Sequence, residues 1–232
     1  TVVPFNTNSR TSCPGAPITF TITINPKAQA NAISSQVVCN GDMVTIPAFS
    51  TLNTGGTTTY SWSSSNTAIG LAASGTGDIV SFLATNVGSA PISTIVTIIP
   101  TFSNSSVHCI DMSKTFKITV NPTAKVTQPS NQIFCAGASS TVPAFSTGNT
   151  GGITSYNWTN DNSSIGIGTS GTGNIPSFIP INNTGIPITA TITVTPTFSN
   201  ESFICTGASK TFTITVNPKV QVNSVPNIVV CN

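Results

Sequence analysis

The six cysteines are the residues of this 232-residue chain whose spacing most clearly points to chemistry. They form two series with a constant interval of 96 residues, one made of Cys39, Cys135 and Cys231 and the other of Cys13, Cys109 and Cys205. No CxxC arrangement is present and the chain has a single histidine, so the pattern favours disulfides over a zinc site. Disulfides persist in oxidising compartments, which predicts an extracellular, cell-surface location.

We weigh two disulfide pairings on this spacing. Our prediction is pairing within each repeat, Cys39 with Cys109 and Cys135 with Cys205, which closes loops of about 70 residues and contributes roughly 4 kcal/mol each in the chain-entropy model. Cys13 and Cys231 then need partners outside this window of sequence. The alternative joins residues across the linkers, Cys13 to Cys39 and Cys109 to Cys135.

The carboxylates do not follow the repeat. There are five of them, Asp42, Asp78, Asp111, Asp161 and Glu201, and the positions one interval away hold Ala138, Asn174, Gly207, Ser65 and Ser105. A calcium site needs several oxygen ligands with carboxylates among them, and general acid–base catalysis needs a partnered group. We therefore expect no metal, no cofactor and no catalytic residue, and hence a protein that is not an enzyme.

The single histidine and the two tryptophans also have simple structural interpretations. His108 aligns with Ile204, so it belongs to no repeated site and is expected in a loop beside Cys109. An exposed Trp62 or Trp158 could stack on a sugar ring, which keeps surface glycans as an alternative partner. A tryptophan on the third strand of a sandwich is typically buried, and we place both in the core.

Charge and hydropathy exclude other classes of partner. Only 5% of residues are charged and the net charge is +2, which provides no footprint for nucleic acid and no polybasic membrane patch. No apolar run reaches the roughly 20 residues needed to span a bilayer, so we expect no membrane span in this segment.

The segments between the cysteines have the pattern of short strands. "TFKITVN" and "TFTITVN" alternate bulky apolar residues with polar ones at period two, and Gly, Asn, Ser and Pro interrupt every candidate helix. About seven strands per repeat is a sandwich count, which predicts an all-β, immunoglobulin-like fold. In the first repeat we place them near 34–38, 43–49, 58–63, 68–72, 78–83, 91–99 and 114–121.

The fixed interval divides the chain into tandem units. Full units are predicted at 31–122 and 127–218, with a C-terminal fragment of a preceding unit at 1–26 and an N-terminal fragment of a following one at 219–232. Because both ends fall inside a unit, we expect a window on a longer chain. The linkers "NPTAK" and "NPKVQ" are short and begin with an X-Pro step, which favours a semi-rigid array of beads on a string.

Several motifs together resemble a known family. "YSW" and "YNW" on the third strand, a "C-x-G" before the second strand, "SIGxxxSGTG" and a closing "KTFTITVNP" are similar to the PKD-like, immunoglobulin-like repeats of giant surface adhesins that gliding-type bacteria export by the type 9 route. The resemblance covers both full repeats and both flanks. The "WDFGDG" of ordinary PKD domains is replaced here by "WSSSN" and "WTNDN", so a role for that acidic loop is not carried over.

The resemblance implies a structural or adhesive repeat segment of a long extracellular bacterial protein, acting as a stalk or fibre. Its partners would be neighbouring repeats of the same chain and, in a filament, other copies. Two alternatives stay open: a subunit or segment of an assembled extracellular filament, and a carbohydrate-binding module of a secreted enzyme.

Overall fold

The computed structural model of the chain describes residues 1–8, 10–201 and 203–231. Within these residues all regular structure is β-strand apart from two short 3-10 turns. A hairpin of β1 (Phe5–Asn8) and β2 (Thr11–Pro14) lies in the N-terminal flank. No helix in the part of the chain described has the length and apolar character required to cross a membrane.

The first full unit is called domain 1 from here on, and the second is called domain 2. Domain 1 contains eight strands. They are β3 (Gln36–Cys39), β4 (Met43–Val44), β5 (Thr57–Ser64), β6 (Ser74–Thr76), β7 (Phe82–Leu83), β8 (Ile92–Asn104), β9 (Val107–Ile110) and β10 (Lys114–Asn121). The main sheet has the order β3-β10-β8-β5-β6, with β9 paired to the end of β8, and β4 pairs with β7 in a second layer. All pairs are antiparallel except β3 with β10, which is parallel.

Domain 2 repeats this arrangement. Its strands are β11 (Gln132–Cys135), β12 (Ile153–Asn160), β13 (Ser170–Thr172), β14 (Ile188–Asn200), β15 (Phe203–Thr206) and β16 (Lys210–Asn217), in the order β11-β16-β14-β12-β13 with β15 on β14. A single bridge between Ser140 and Phe178 stands where domain 1 has its second layer of two strands. The expected all-β tandem immunoglobulin-like sandwich is confirmed.

The period-two pattern explains which faces are buried. Along β10, Phe116, Ile118 and Val120 point into the core and are at most 4% exposed, while the alternating residues at the start of the strand face outward. Residues 16–26 carry the same pattern without a sheet to cover them, and Ile22 and Ile24 are 77% and 89% exposed. The same strand sequence is thus buried only where neighbouring strands are present.

Trp62 and Trp158 lie in the two cores, 8% and 5% exposed. Each indole packs directly on a glycine of the neighbouring strand, Gly75 for Trp62 and Gly171 for Trp158, where any Cβ would overlap the ring. Neither tryptophan presents a ring face on which a sugar could stack.

Several elements differ from the sequence expectations. The strands predicted at 43–49 and 78–83 are shorter than expected, Met43–Val44 and Phe82–Leu83. The strand predicted at 68–72 begins as a 3-10 turn, Thr67–Ile69, because the Asn66 side chain accepts a hydrogen bond from the Ala68 N–H and Gly70 ends the turn at a φ of 94°. The "SGT" at 74–76, which lies between two of the predicted strands, forms β6. The strand predicted at 91–99 continues to Asn104 and returns as β9.

Candidate functional site at the domain junction

The longest strand of each repeat, β8 in domain 1 and β14 in domain 2, leads into a projecting hairpin. In domain 2, β14 extends past its pairing with β16 and pairs with β15, which places Cys205 opposite Phe198. We call residues 199–206 the domain 2 arm and the equivalent residues 103–110, at the end of β8 and in β9, the domain 1 arm. Each arm has a non-glycine residue at positive φ directly after its first strand, Glu201 at 48° and Ser105 at 55°.

The domain 2 arm reaches back onto domain 1 and is covalently bonded to it. Cys205 forms a disulfide with Cys39 at the end of β3, with the two Cα atoms 5.6 Å apart and a sequence separation of 166 residues. Cys205 is buried. Among the described residues Cys13, Cys109, Cys135 and Cys231 are unpaired.

The predicted pairing within each repeat is therefore wrong for Cys39 with Cys109 and for Cys135 with Cys205. Because β3 runs parallel to β10, Cys39 lies beside Asn121 at the end of that strand, whereas Cys109 precedes its start at Lys114. The seven steps of the strand separate the two positions by roughly 24 Å at about 3.4 Å per residue. A disulfide requires Cα atoms within about 7 Å.

The alternative linker pairing is not formed either. Neither Cys13 with Cys39 nor Cys109 with Cys135 is bonded, since Cys39 bonds to Cys205 and the others are unpaired. Cys109 lies at the arm end of domain 1, and Cys135, at the end of β11, lies at the far end of domain 2. That Cys13 and Cys231 have partners outside this sequence stays a prediction.

Polar contacts hold the arm on domain 1 beside the disulfide. The Asn200 side-chain amide donates to the Asn121 Oδ1 at 3.1 Å, and Asn121 is fully buried at the end of β10. The Glu201 carboxylate lies 3.6 Å from the Lys117 ammonium group. The arm therefore follows β10, the strand to which β3 is also paired.

The linker and the "NTGG" turn of domain 2 complete the junction. The Asn149 side chain accepts from the Lys125 N–H at 2.7 Å and donates to the Thr123 carbonyl at 3.1 Å, and Thr150 N–H donates to the Ser89 carbonyl of domain 1 at 2.9 Å. Gly207, which follows the arm, packs so closely on the Ala124 carbonyl that a Cβ there would overlap it. Hydrogen bonds and close packing thus restrain both sides of the linker.

A short turn positions Cys39 for the disulfide. In "CNGD", the Cys39 N–H donates to the Asp42 carboxylate at 2.9 Å, and Gly41 adopts a φ of 92°. Asn40 donates from its side chain to the Thr123 hydroxyl at 3.0 Å and so ties the turn to the linker. The corresponding "CAGA" turn after Cys135 has alanine at both side-chain positions.

The other carboxylates serve as hydrogen-bond acceptors or ion-pair partners. Asp78 accepts from the Phe49 N–H at 2.7 Å, and its counterpart Asn174 accepts from Phe145 N–H at 2.8 Å. In the same way Asp161 accepts from Thr191 N–H at 2.6 Å, the bond that Ser65 makes to Ile95. At these two positions an acceptor oxygen is required and a charge is not, which explains why a carboxylate does not recur there.

No titratable cluster is found beside these bonds. Among the described residues, no group of three or more His, Cys, Asp or Glu side chains could hold a metal ion. His108 lies in the domain 1 arm, where its Nδ1 is 2.7 Å from the Ser103 hydroxyl. Burial raises the pKa of Tyr60 and Tyr156 above the ordinary value, so both stay neutral at physiological pH.

Sequence reasoning missed the pairing across repeats and the arm that makes it. The signal was present in the numbering: in two series of equal interval, a separation of 166 residues recurs as regularly as one of 70. Spacing cannot distinguish the pairing at 70 residues from the pairing at 166. The pairing at 70 is excluded by the parallel direction of β3 and β10, which the spacing does not show.

No protein-family model matches the sequence, and no curated protein matches it. Solved structures with a similar arrangement include cadherin domains 3–6 of protocadherin gamma B2 (12% identity, TM-score 0.45, covering 83% of this chain and 53% of that one) and titin domains I67–I69 (11%, 0.47, 83% and 67%). Another is EC1–2 of human protocadherin-24 (15%, 0.43, 86% and 100%). The chain spans about half of the protocadherin gamma B2 fragment. At these identities the likeness concerns the fold alone, which the strand pairing establishes as a tandem array of immunoglobulin-like β-sandwich domains.

Proposed function

We propose that this chain is a structural or adhesive repeat segment of a long extracellular bacterial surface protein, in which it acts as a stalk or fibre. The observation that carries the proposal is the Cys39–Cys205 disulfide between successive domains. Such a bond persists where thiols are kept oxidised, and it holds one domain against the next. The result is a stiff connection in place of a free hinge.

The junction also suits a protein under tension. Force applied along an array enters domain 1 near β3 and leaves domain 2 after β16. The bond from Cys39 to Cys205 connects the end of β3 directly to the domain 2 arm, so tension bypasses the residues between the two cysteines. If the bond is reduced, the four parallel residue pairs between β3 and β10, from Gln36–Ile118 to Cys39–Asn121, are loaded together.

The alternative of a carbohydrate-binding module is less well supported. Its basis was a tryptophan available for stacking, and both tryptophans are buried against glycines. The filament alternative shares the stalk's requirements and differs only in whether separate chains assemble.

Antibodies against the oxidised chain, applied to the native source, would test the proposal. We expect gold particles on intact cells, along thin rods or fibres seen by electron microscopy. Ordered multi-chain fibres detached from cells would favour the filament. Labelling only after cells are opened, or labelling of a compact secreted enzyme, would contradict the stalk.

A further inference from the structure

The two unpaired cysteines Cys109 and Cys135 occupy the same structural positions as the bonded pair. Cys135 ends β11 as Cys39 ends β3, and each lies beside the last residue of the neighbouring parallel strand, Asn217 and Asn121 respectively. Cys109 lies in β9 opposite Phe102, as Cys205 lies in β15 opposite Phe198. Cys135 is thus equivalent to Cys39, and Cys109 is equivalent to Cys205. Each lacks the partner that its bonded counterpart has in the Cys39–Cys205 pair.

Independent contacts around Cys109 support this equivalence. The domain 1 arm docks on residues of the N-terminal flank with the hydrogen bonds seen at the junction: the Asn104 amide donates to Asn25 at 2.9 Å, as Asn200 does to Asn121. The Asn53 amide donates to the Lys27 carbonyl at 2.9 Å, as Asn149 does to Thr123. The arm of domain 1 is therefore seated for a bond like that of Cys205.

The Cys135 end of domain 2 has the complementary shape. A surface cavity there is lined by residues including Ala136, Gly137, Pro180, Asn182 and Pro218. Their equivalents in domain 1 surround the place where the "NTGG" turn of domain 2 and the linker are bound, and Cys135 itself is exposed. The occupant that fits this cavity is a further domain of the same repeat, connected through residues 219–231.

We propose that the disulfides of this repeat continue in the same register as a ladder. Cys135 bonds to the arm cysteine 166 positions later, in a following repeat, and Cys109 bonds to the cysteine 166 positions earlier. This extends the proposed function, because it requires further repeats on both sides. In forming each bond, two thiols lose two protons and two electrons to a disulfide-bonded oxidant of the thiol–disulfide oxidoreductase class, whose disulfide becomes two thiols.

The ladder gives every junction two covalent connections, the peptide linker and one disulfide. Since each disulfide bridges more than one repeat, any single cut between its two cysteines leaves the fibre continuous. At the junction described here, a cut after the exposed Lys125 leaves the two halves joined through Cys39 and Cys205. The arrangement therefore protects a stalk against proteolysis as well as against tension.

The test is the full chain extended by one repeat, with a second copy of residues 123–218 inserted between Pro218 and Lys219. After oxidation and peptide mapping without reductant, we expect Cys39 bonded to Cys205 and Cys135 bonded to the cysteine that copies Cys205. As the matched control, Cys135→Ser in the same chain should leave that copied cysteine as a free thiol and the Cys39–Cys205 bond intact.

Other connectivities would overturn the ladder. These are a Cys109–Cys135 bond, a bond between two molecules at Cys135, or free thiols at both Cys135 and the copied cysteine. A single trypsin cut at the copy of Lys125, which only the bond from Cys135 spans, provides a second readout: the oxidised chain should keep its full apparent size on a gel until reductant is added. Two separate fragments before reduction would contradict the double connection. If antibodies label the cell surface but the extended chain does not form the Cys135 bond, the ladder is wrong and the stalk proposal stands. The two failures are therefore distinguishable.

Discussion

The same sequence, "PTFSN", leads into both hairpin arms, but the arms contact different parts of the molecule. The domain 2 arm lies on a complete sheet, where Cys205 is buried and bonded to Cys39. The domain 1 arm contacts the N-terminal flank through Asn104 and Asn25, and Cys109 is half-buried and unpaired. Both arms nevertheless make the asparagine hydrogen bond to the preceding segment.

The comparison shows that the hydrogen bond that docks an arm and the disulfide that bonds it have different requirements. The asparagine bond needs only the segment that aligns with the end of β10, which precedes both arms. The disulfide needs in addition the end of a first strand such as β3, which precedes the domain 2 arm alone. Chain connectivity therefore seats the arm, and a complete preceding domain supplies its covalent partner.

The largest effect is expected when the chain is pulled from its two ends. With the Cys39–Cys205 bond intact, the residues between the two cysteines cannot extend. Reduction should release the 166-residue separation, which corresponds to about 550–600 Å when fully extended. Single-molecule force spectroscopy measures this gain as contour length. Equal contour lengths before and after reduction would show that the bond is absent.

Replacing the cysteine at the end of β3 and the one at the end of β11 compares the two first strands by stability. Cys39→Ser should lower the free energy of unfolding by about 2–5 kcal/mol, because a long closed loop is opened. Cys135→Ser should change it by less than about 0.5 kcal/mol, since Cys135 is exposed and unpaired. Urea denaturation under oxidising conditions gives both values. Similar losses in the two variants would refute the assignment of the bond to Cys39.

A smaller effect is expected from replacing the residue that follows the domain 2 arm by its counterpart in domain 1. Gly207 contacts the Ala124 carbonyl, whereas the equivalent Asp111 pairs with Lys27 at 3.7 Å. Gly207→Asp should weaken the junction by about 1–3 kcal/mol, because the side chain overpacks it. Adding Thr123→Lys, which supplies the cation found at Lys27, should recover less than about 1 kcal/mol.

Disulfide exchange with glutathione measures this change directly. The effective concentration of Cys39 and Cys205 should fall about 5- to 160-fold in Gly207→Asp, as 1–3 kcal/mol requires. If Gly207→Asp has the same effective concentration as the parent chain, close packing at Gly207 does not hold the arm. If adding Thr123→Lys lowers the effective concentration below that of Gly207→Asp alone, the ion pair seen between Lys27 and Asp111 cannot be transferred to this junction.

Local pattern predicted most of the fold. Alternation in "TFKITVN" and "TFTITVN" placed β10 and β16, and it implied buried Phe116 and Ile118, because one face of a half-buried strand is apolar whatever its partners. It failed at 68–72, where an asparagine cap and a glycine at positive φ override apolar content. It also underestimated β8, whose last residues pair with β9 beyond the sheet.

The sequence by itself determined the strand pattern, the repeat interval of 96 residues and the existence of two cysteine series. Only the tertiary structure decided which cysteines meet. Cys39 and Cys109 are closer in sequence but lie at opposite ends of one sandwich, since β3 is parallel to β10 and Cys109 precedes the start of that strand. Cys205 reaches Cys39 because the arm crosses the junction, and a contact of that range depends on strand direction and domain docking, neither of which spacing encodes.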